Sequence, residues 1–216
     1  MKSILKISLI ALLVFHGKAY TQVDESAEKI LQQVSEKYDA YKTLQSNFTF
    51  LAEFAEEGNQ RDKGIMYLDK TRDSYQINLE SQKIISDGKA VWSILPEDKE
   101  VQITNPVSDE ESIGPNNIFT FYQKGYKYIT MEDEFTQDNK RLKVIELSPE
   151  NTQQNYFKIK LRINDNLHIH DVKIFDKSGA RYTYTISNLY VNHKINRKKF
   201  TFQKEEFPDY EIVDLR

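Results

Sequence analysis

The stretch Lys83–Val101, KIISDGKAVWSILPEDKEV, reads as three short strands joined by two tight turns. The pair Asp87-Gly88 lies between apolar runs and supplies the positive φ angles that a tight hairpin needs. Pro96 begins the second turn, because its ring already fixes φ. The middle strand, Ala90 to Leu95, carries apolar residues on both faces, which predicts that both of its sides are covered.

Similar short strands continue on both sides of this stretch. Alternation is clear at Phe48, Phe50, Ala52 and Phe54, and the chain ends in short candidate strands from Phe200 onward. About ten or eleven strands follow one another through turns too short for parallel crossovers, which predicts an antiparallel meander. An open sheet of that size curls. The sequence therefore predicts an α+β, mainly β fold, in which a curled antiparallel sheet is closed on one side by helices.

Two segments supply the expected helices. From Asp24 to Leu44, apolar residues recur every three or four positions behind a capping Asp24, as in an amphipathic helix. A second, shorter helix is expected after Gly114-Pro115, because proline suits the first turn of a helix. Glycines at 114 and 125 flank this insert, and it could therefore move as a lid.

Residues 1–21 have the pattern of a secretory signal peptide. A lysine-containing start precedes the apolar run Ile7–Phe15, which is too short to span a bilayer, and cleavage is expected after Ala19 or Thr21. The alternative, an amphipathic first helix, lacks a polar face. No linker, low-complexity tract or repeat interrupts residues 22–216, which are predicted to form a single domain.

Composition narrows the class of protein further. The chain has 30 Lys and Arg against 33 Asp and Glu. Cleavage of the predicted signal peptide would remove the lysines at positions 2, 6 and 18, which leaves 27 against 33, a net charge of −6. This balance argues against nucleic acid and anionic lipid surfaces as partners. The absence of cysteine excludes a lipid-attachment cysteine, a disulfide and a thiolate metal site. The sequence predicts a soluble, monomeric protein exported to the periplasm.

The opening stretch also resembles a known family. Ile85-Ser86-Asp87-Gly88-Lys89, followed by Trp92, Pro96 and Val101, is similar to the signature of the LolA-type outer-membrane lipoprotein carriers. The order of parts along the mature chain is similar as well, from the amphipathic helix and Phe-rich strand to a terminal Phe-x-Phe. The resemblance implies an unclosed antiparallel β-barrel, or half-barrel, lidded by short helices. Such a protein takes triacylated lipoproteins from an inner-membrane ABC transporter towards an outer-membrane acceptor, without catalysis, cofactor or metal.

The resemblance also implies which surfaces hold the acyl chains. The cavity is expected to be lined by apolar residues of the strands: Phe48, Phe50, Phe54, Met66, Leu68, Ile77, Leu79, Ile85, Trp92, Ile94, Phe157, Ile159, Leu161 and Phe202. The lid is expected to present Ile30, Leu31, Val34, Tyr38, Ile118, Phe119, Phe121 and Tyr122. The alternative is that these residues are ordinary core, since periodicity defines a face without showing which face is concave.

One family feature is changed here. Proteobacterial members have an Arg-Pro pair after the second strand that helps to fasten the lid. The matching region, Asp69-Lys70-Thr71-Arg72-Asp73, has no proline, and Lys70 and Arg72 are the expected substitutes. Related half-barrels also serve as outer-membrane acceptors and as envelope-stress regulators. A periplasmic lipid or lipoprotein sensor on the same fold is therefore the alternative function, and a sugar- or peptide-binding β-module is a more distant one.

Enzyme and metal sites are poorly supported. No nucleophile elbow, zinc-binding helix motif, phosphate loop or dinucleotide fingerprint is present in the sequence. His168 and His170 share a predicted strand face, with Asp171 pointing the other way, but lack a third ligand at useful spacing. The carboxylate pair Glu132 and Glu134, and the acidic run Asp109–Glu111, are typical of solvated surfaces in an acidic chain.

Overall fold

The computed structural model describes residues 24–56, 58–106 and 113–216. The predicted signal peptide and the acidic run at 109–111 lie outside the described residues. The described chain contains one α-helix, α1 (Glu25–Asp39), and twelve strands: β1 (Thr43–Phe54), β2 (Gly58–Asp69), β3 (Ser74–Leu79), β4 (Lys83–Ser86), β5 (Val91–Leu95), β6 (Glu100–Thr104), β7 (Tyr126–Phe135), β8 (Arg141–Pro149), β9 (Tyr156–Asn164), β10 (Ile169–Asp176), β11 (Arg181–Val191) and β12 (Glu211–Asp214).

All twelve strands belong to one sheet, in the order β12-β6-β5-β4-β3-β2-β1-β11-β10-β9-β8-β7. Its edge strands, β12 and β7, do not pair with each other, which confirms the predicted unclosed half-barrel. The count is twelve rather than ten or eleven. One pairing also departs from the antiparallel prediction, because β12 pairs with β6 in parallel. Parallel pairing needs a long connection between strands. Residues 192–210 supply it, because they run from the end of β11 to β12 at the far edge of the sheet, beside β6.

Helix α1 is shorter than its periodicity predicts. Asp24 caps its first turn, with Oδ1 accepting hydrogen bonds from the backbone N–H groups of Ser26 at 3.0 Å and Ala27 at 3.1 Å. The helix ends at Asp39, whereas the pattern extends to Leu44. Leu44 belongs to β1 and pairs with β2 and β11. The apolar spacing assigned this residue to the helix, but it forms part of the sheet instead.

The insert after Gly114 is not the expected regular helix. The Asn117 side chain accepts a hydrogen bond from the Gly114 N–H at 2.9 Å, and its backbone oxygen accepts from both Thr120 and Phe121. These contacts fold the segment into successive turns, with a single 3-10 turn at Phe121–Gln123.

The C-terminal segment covers part of the outer face of the sheet. Phe200-Thr201-Phe202 is not the predicted strand, because Arg197–Phe200 forms a 3-10 turn and Phe202 then stacks on Trp92, with ring centroids 5.9 Å apart. A second 3-10 turn, Lys204–Glu206, leads into β12. Val91 and Ile94, which face opposite sides of β5, are both buried. This agrees with the expected cover on both sides of that strand.

Gly64 allows the aromatic residue of the neighbouring strand to lie flat on the sheet. Gly64 pairs with Phe48 across β1 and β2. A Cβ atom added at Gly64 would lie 2.5 Å from Phe48 Cζ and 2.8 Å from the Asn78 backbone oxygen. Such contacts are shorter than van der Waals separation, and the Phe48 ring is itself buried. The absence of a side chain at this position is therefore a packing requirement.

We predict that Gly64→Ala lowers the free energy of unfolding by about 1–3 kcal/mol, because the added methyl group overpacks the site. Urea unfolding of the purified protein measures this loss. Lys63→Ala is the matched control, since Lys63 is exposed and should change stability by less than about 0.5 kcal/mol. Equal midpoints for the two variants would contradict the packing argument.

Candidate functional site

The face of the sheet that α1 packs against, which we refer to as the concave face, is apolar over most of its area. The strand register puts Phe48 opposite Ile186 and Gly64, and Met66 opposite Ile77. Eight of the predicted cavity residues meet in one cluster on this face: Phe48, Phe50, Met66, Leu68, Ile77, Leu79, Ile159 and Leu161. Phe54 lies at the end of the same strand face, where its ring contacts Tyr182. Phe157 is 53% exposed at the end of its strand and lies outside the cluster.

Four predicted residues lie on the other face. Ile85 pairs with Trp92, and Ile94 with Val101, on strands where the concave positions are Ile84 and Ser93. Together with Phe202, these side chains form a separate cluster under the C-terminal segment. Ile85, Trp92, Ile94 and Phe202 are therefore removed from the predicted cavity lining. They stabilise the attachment of the last residues of the chain to the outer face.

Sequence reasoning missed part of the concave face. The cluster also contains these residues of β8, β10 and β11: Ile145, Leu147, Val172, Ile174, Tyr182, Tyr184 and Ile186. Tyr182, Tyr184 and Ile186 follow one another at a spacing of two, as Ile145 and Leu147 do. The same alternation that identified Phe48 and Phe50 could have found them.

Helix α1 and residues 113–123 cover this face, and we refer to these two segments together as the cover. Of the eight predicted lid residues, Ile30 packs against the edge of the same cluster. The other seven are buried in it: Leu31, Val34, Tyr38, Ile118, Phe119, Phe121 and Tyr122. Tyr38 stacks on Phe119 with ring centroids 4.8 Å apart, which joins the two segments. The cover is thus one packed layer rather than two independent flaps.

The N-terminal end of α1 is hydrogen-bonded to the edge strand β7. Asp24 Oδ2 accepts from the Thr130 backbone N–H at 2.6 Å, and the hydroxyl groups of Ser26 and Thr130 lie 2.7 Å apart. The hydrogen bonds from Ser26, Thr130 and Ala27 hold the pKa of Asp24 well below its usual range. The carboxylate is therefore charged at neutral pH and caps both the helix and a free N–H of the sheet edge.

Lys70 holds the other end of α1. Its Nζ donates to the Tyr38 backbone oxygen at 2.9 Å and lies 3.3 Å from Asp39 Oδ1. A cation at this position also interacts favourably with the C-terminal end of the helix dipole. Arg72 is instead 3.8 Å from Asp69 on its own turn. Of the two substitutes for the family Arg-Pro pair, Lys70 is therefore the one that contacts the C-terminal end of α1.

Polar contacts also join the rim of the cover to the turn between β9 and β10. Lys37 Nζ donates to the Asn166 backbone oxygen at 2.6 Å. The Tyr38 hydroxyl accepts from the Ile169 N–H at 3.1 Å, and burial raises the pKa of Tyr38 well above its ordinary value. Tyr41 and His168 form a further hydrogen bond at 2.9 Å. The cover is consequently held by apolar packing in its centre and by a few hydrogen bonds at its rim.

The cover leaves a cavity at each end of residues 113–123. One cavity, of about 390 Å³, lies beside the C-terminal end of α1. Its apolar walls come from residues such as Leu44, Leu68, Tyr75 and Phe119, and its polar lining includes Asp69, Lys70 and Asp73. The other, of about 580 Å³, is more polar and lies between residues 120–126 and 149–156. Thr120 lines both cavities. We refer to the first as the apolar cavity.

The two histidines are engaged separately. His168 bonds to Tyr41, while a bulge in β10 brings His170 Nδ1 to 2.6 Å from Asp171 Oδ2. The predicted opposite orientation of His170 and Asp171 is therefore wrong at this bulge. Among the described residues, no group of three potential metal ligands comes together.

An ion-pair network involving Asp171 and Glu134 lies on the outer face. Burial alone would raise the pKa of the Asp171 carboxyl, which is 2% exposed, but hydrogen bonds from His170 and Arg162 outweigh it and lower the pKa. Glu134 in turn contacts Lys160 and Arg162. The negative charge of the Glu134 carboxylate is therefore balanced by these two cations, whereas a catalytic acid would be held protonated.

Known proteins can now be compared with this architecture. A family model described as outer membrane lipoprotein carrier protein LolA matches residues 39–203. An uncharacterized conserved protein from Thermus thermophilus shares the fold, with a TM-score of 0.57 and 10% identity over 88% of this chain and 99% of that chain. A LolA superfamily protein from Nitrosomonas europaea has a TM-score of 0.45 and 15% identity over 82% of this chain and 97% of its own.

Another similar structure is that of the lipoprotein LppX from Mycobacterium tuberculosis, with a TM-score of 0.46 and 9% identity over 80% of this chain and 98% of that chain. No curated protein sequence matches the chain. Within the described residues, no helix combines the length and apolar character needed to cross a bilayer. Because the family model covers most of the sequence, from residue 39 to residue 203, this chain belongs to the LolA family of outer-membrane lipoprotein carriers.

Proposed function

We propose that this protein is a periplasmic carrier that binds the acyl chains of triacylated lipoproteins on the concave face of its sheet. The observation that carries this proposal is the cover itself. A broad apolar face is closed by one helix and a turn-rich segment, held at the rim by a few hydrogen bonds, rather than by a second sheet. Such a surface can be uncovered for an apolar ligand and covered again without unfolding the sheet.

The size of the apolar cavity supports displacement of the cover. Its volume of about 390 Å³ is near the lower end of the range for pockets that hold drug-sized ligands. Three acyl chains need more of the concave face than this. Since Leu31, Tyr38 and Phe119 occupy that face in the closed form, cargo and cover compete for the same apolar surface.

Competition of this kind makes release possible. Burial of an acyl chain contributes about 0.8 kcal/mol for each CH₂ group, so a fully enclosed triacyl anchor would dissociate too slowly for a carrier. Re-packing of the cover residues on the same face offsets part of this gain. The proposed role therefore requires a cover whose closed form is stable but can be displaced, and it involves no catalytic step.

The proposed route follows from the family. The chain would be exported with cleavage of residues 1–21, act as a monomer of residues 22–216, receive lipoproteins from an inner-membrane ABC transporter and deliver them to an outer-membrane acceptor. The match to the lipoprotein carrier family supports this assignment.

The variant Ser26→Cys/Thr130→Cys tests whether α1 must move. The two hydroxyl oxygens lie 2.7 Å apart, and the chain has no other cysteine, so oxidation should form one disulfide between α1 and β7. We expect the oxidised protein to bind a synthetic triacylated lipopeptide at least tenfold more weakly than the same protein after reduction. Native mass spectrometry of both forms measures the bound fraction.

The reduced form is its own control for the two substitutions, and circular dichroism of both forms checks that the sheet is retained. Equal lipopeptide binding before and after reduction would contradict a cover that opens at α1.

Lys70→Met tests the fastening of the cover. Loss of the contact with Tyr38 should weaken the closed form by about 1 kcal/mol, because it removes a charge-assisted hydrogen bond that is partly exposed. Bound lipopeptide should then be retained roughly fivefold longer, since the cover competes less well. The measurement is the rate of transfer to an excess of empty wild-type protein. Arg72→Met is the matched control and should transfer at the wild-type rate; similar rates for both variants would assign the fastening to other residues.

A further inference from the structure

Basic residues are unevenly distributed along this acidic chain. From Lys177 to Lys204 there is no Asp or Glu, whereas Glu205 and Glu206 follow directly. The same 28-residue stretch contains seven cations: Lys177, Arg181, Lys194, Arg197, Lys198, Lys199 and Lys204. A net negative charge for the whole chain therefore conceals a locally positive segment, because formal charge is a sum over all residues.

The fold adds another cation to the middle of this segment. After β11, Asn192 accepts a hydrogen bond from the Lys42 N–H at 2.8 Å, and Thr43 Oγ1 donates to the His193 backbone oxygen at 2.7 Å. Lys42 thereby lies beside the loop that begins at Asn192. We define Lys42, Lys194, Arg197 and Lys198, all of them exposed, as the basic end of the molecule.

The charges of the basic end are not neutralised within the described residues. None of its four side chains forms an ion pair there, whereas Lys70 and Arg72 close by are paired with Asp39 and Asp69. Asp69, the last residue of β2, and Asp73, on the turn that follows it, are carboxylates that line the same cavity as Lys70. Lys199 is engaged separately, with Nζ 4.1 Å from the centre of the Tyr67 ring.

The basic end lies next to the apolar cavity. The Lys70 N–H donates to the Lys42 backbone oxygen at 3.0 Å, and the Lys70 side chain lines that cavity. An aromatic residue lies at the same end of the sheet, since Tyr190 is 47% exposed and its ring contacts His193. Exposed tyrosine beside unpaired cations is the composition that suits a bilayer interface, where the ring sits at headgroup level.

We propose that the basic end is a docking surface for an anionic phospholipid bilayer, and that docking brings the apolar cavity close to the membrane surface. An acidic protein would also complement the charge, but the exposed tyrosine and the neighbouring apolar cavity favour a lipid surface. One part of the proposal rests on the carrier function, namely that acyl chains pass between the cavity and the membrane. Docking of the basic end on an anionic bilayer does not depend on that function.

The test is co-sedimentation of cargo-free protein with two kinds of vesicle, phosphatidylcholine alone and phosphatidylcholine mixed with phosphatidylglycerol. The wild type should bind only the anionic vesicles, and increasing salt should release it. The variant Lys194→Gln/Arg197→Gln/Lys198→Gln should bind them about 100-fold more weakly, because each basic residue near an anionic surface contributes about 1 kcal/mol.

The control variant is Lys29→Gln/Lys124→Gln/Lys127→Gln, which removes three exposed cations elsewhere and has the same net charge. It should bind like the wild type. Three results would overturn the proposal: no binding of the wild type to anionic vesicles, equal binding to neutral vesicles, or an equal loss of binding in the control variant. The first result would leave an acidic protein as the partner that complements the charge. Lipopeptide binding, measured on the same variants, separates this result from a failure of the carrier function.

Discussion

The constraint on which the structure depends is that one open sheet presents a continuous apolar face. Alternating residues of each strand point to that face, and without a second sheet they can be removed from water only by other parts of the chain. Helix α1 and residues 113–123 meet this need, with Tyr38 and Phe119 stacked between them. The position of nearly every other element follows from how this face is formed, covered and bordered.

The two faces of the sheet are stabilised in different ways. The concave face is apolar and its cover is attached at the rim through Asp24 and Lys70. The outer face of β7 to β10 is instead joined by ion pairs around Arg162, and the outer face of β4 to β6 is covered by the C-terminal segment through Trp92 and Phe202. Because these outer contacts do not involve the cover, they would still support the sheet in the proposed state with the cover displaced.

Much of this arrangement was accessible from the sequence. Period-two alternation predicted the strands and part of the apolar cluster, including Phe48 and Met66, and the resemblance predicted an open sheet with a helical lid. For β4 to β6 the sequence did not show which residues face inwards, because each short turn can change the facing of the strand that follows it. Ile85 and Trp92 were assigned to the wrong face for this reason.

Other features depend on contacts between distant residues. The parallel pairing of β12 with β6 joins segments about a hundred residues apart. The turns that take the place of the expected helix after Gly114 are local but leave no periodic signal. Lys70 was identified as a candidate for fastening the cover only through the resemblance, and its contact with the end of α1 distinguishes it from Arg72.

Hydrogen exchange of the backbone amides, measured with and without a bound triacylated lipopeptide, tests the central claim most directly. If cargo replaces the cover on the concave face, amides of α1 and residues 113–123 will exchange faster in the complex, while those of β1, β2 and β8 to β11 stay protected. Unchanged or slower exchange of the whole cover in a complex that contains the lipopeptide would contradict this account.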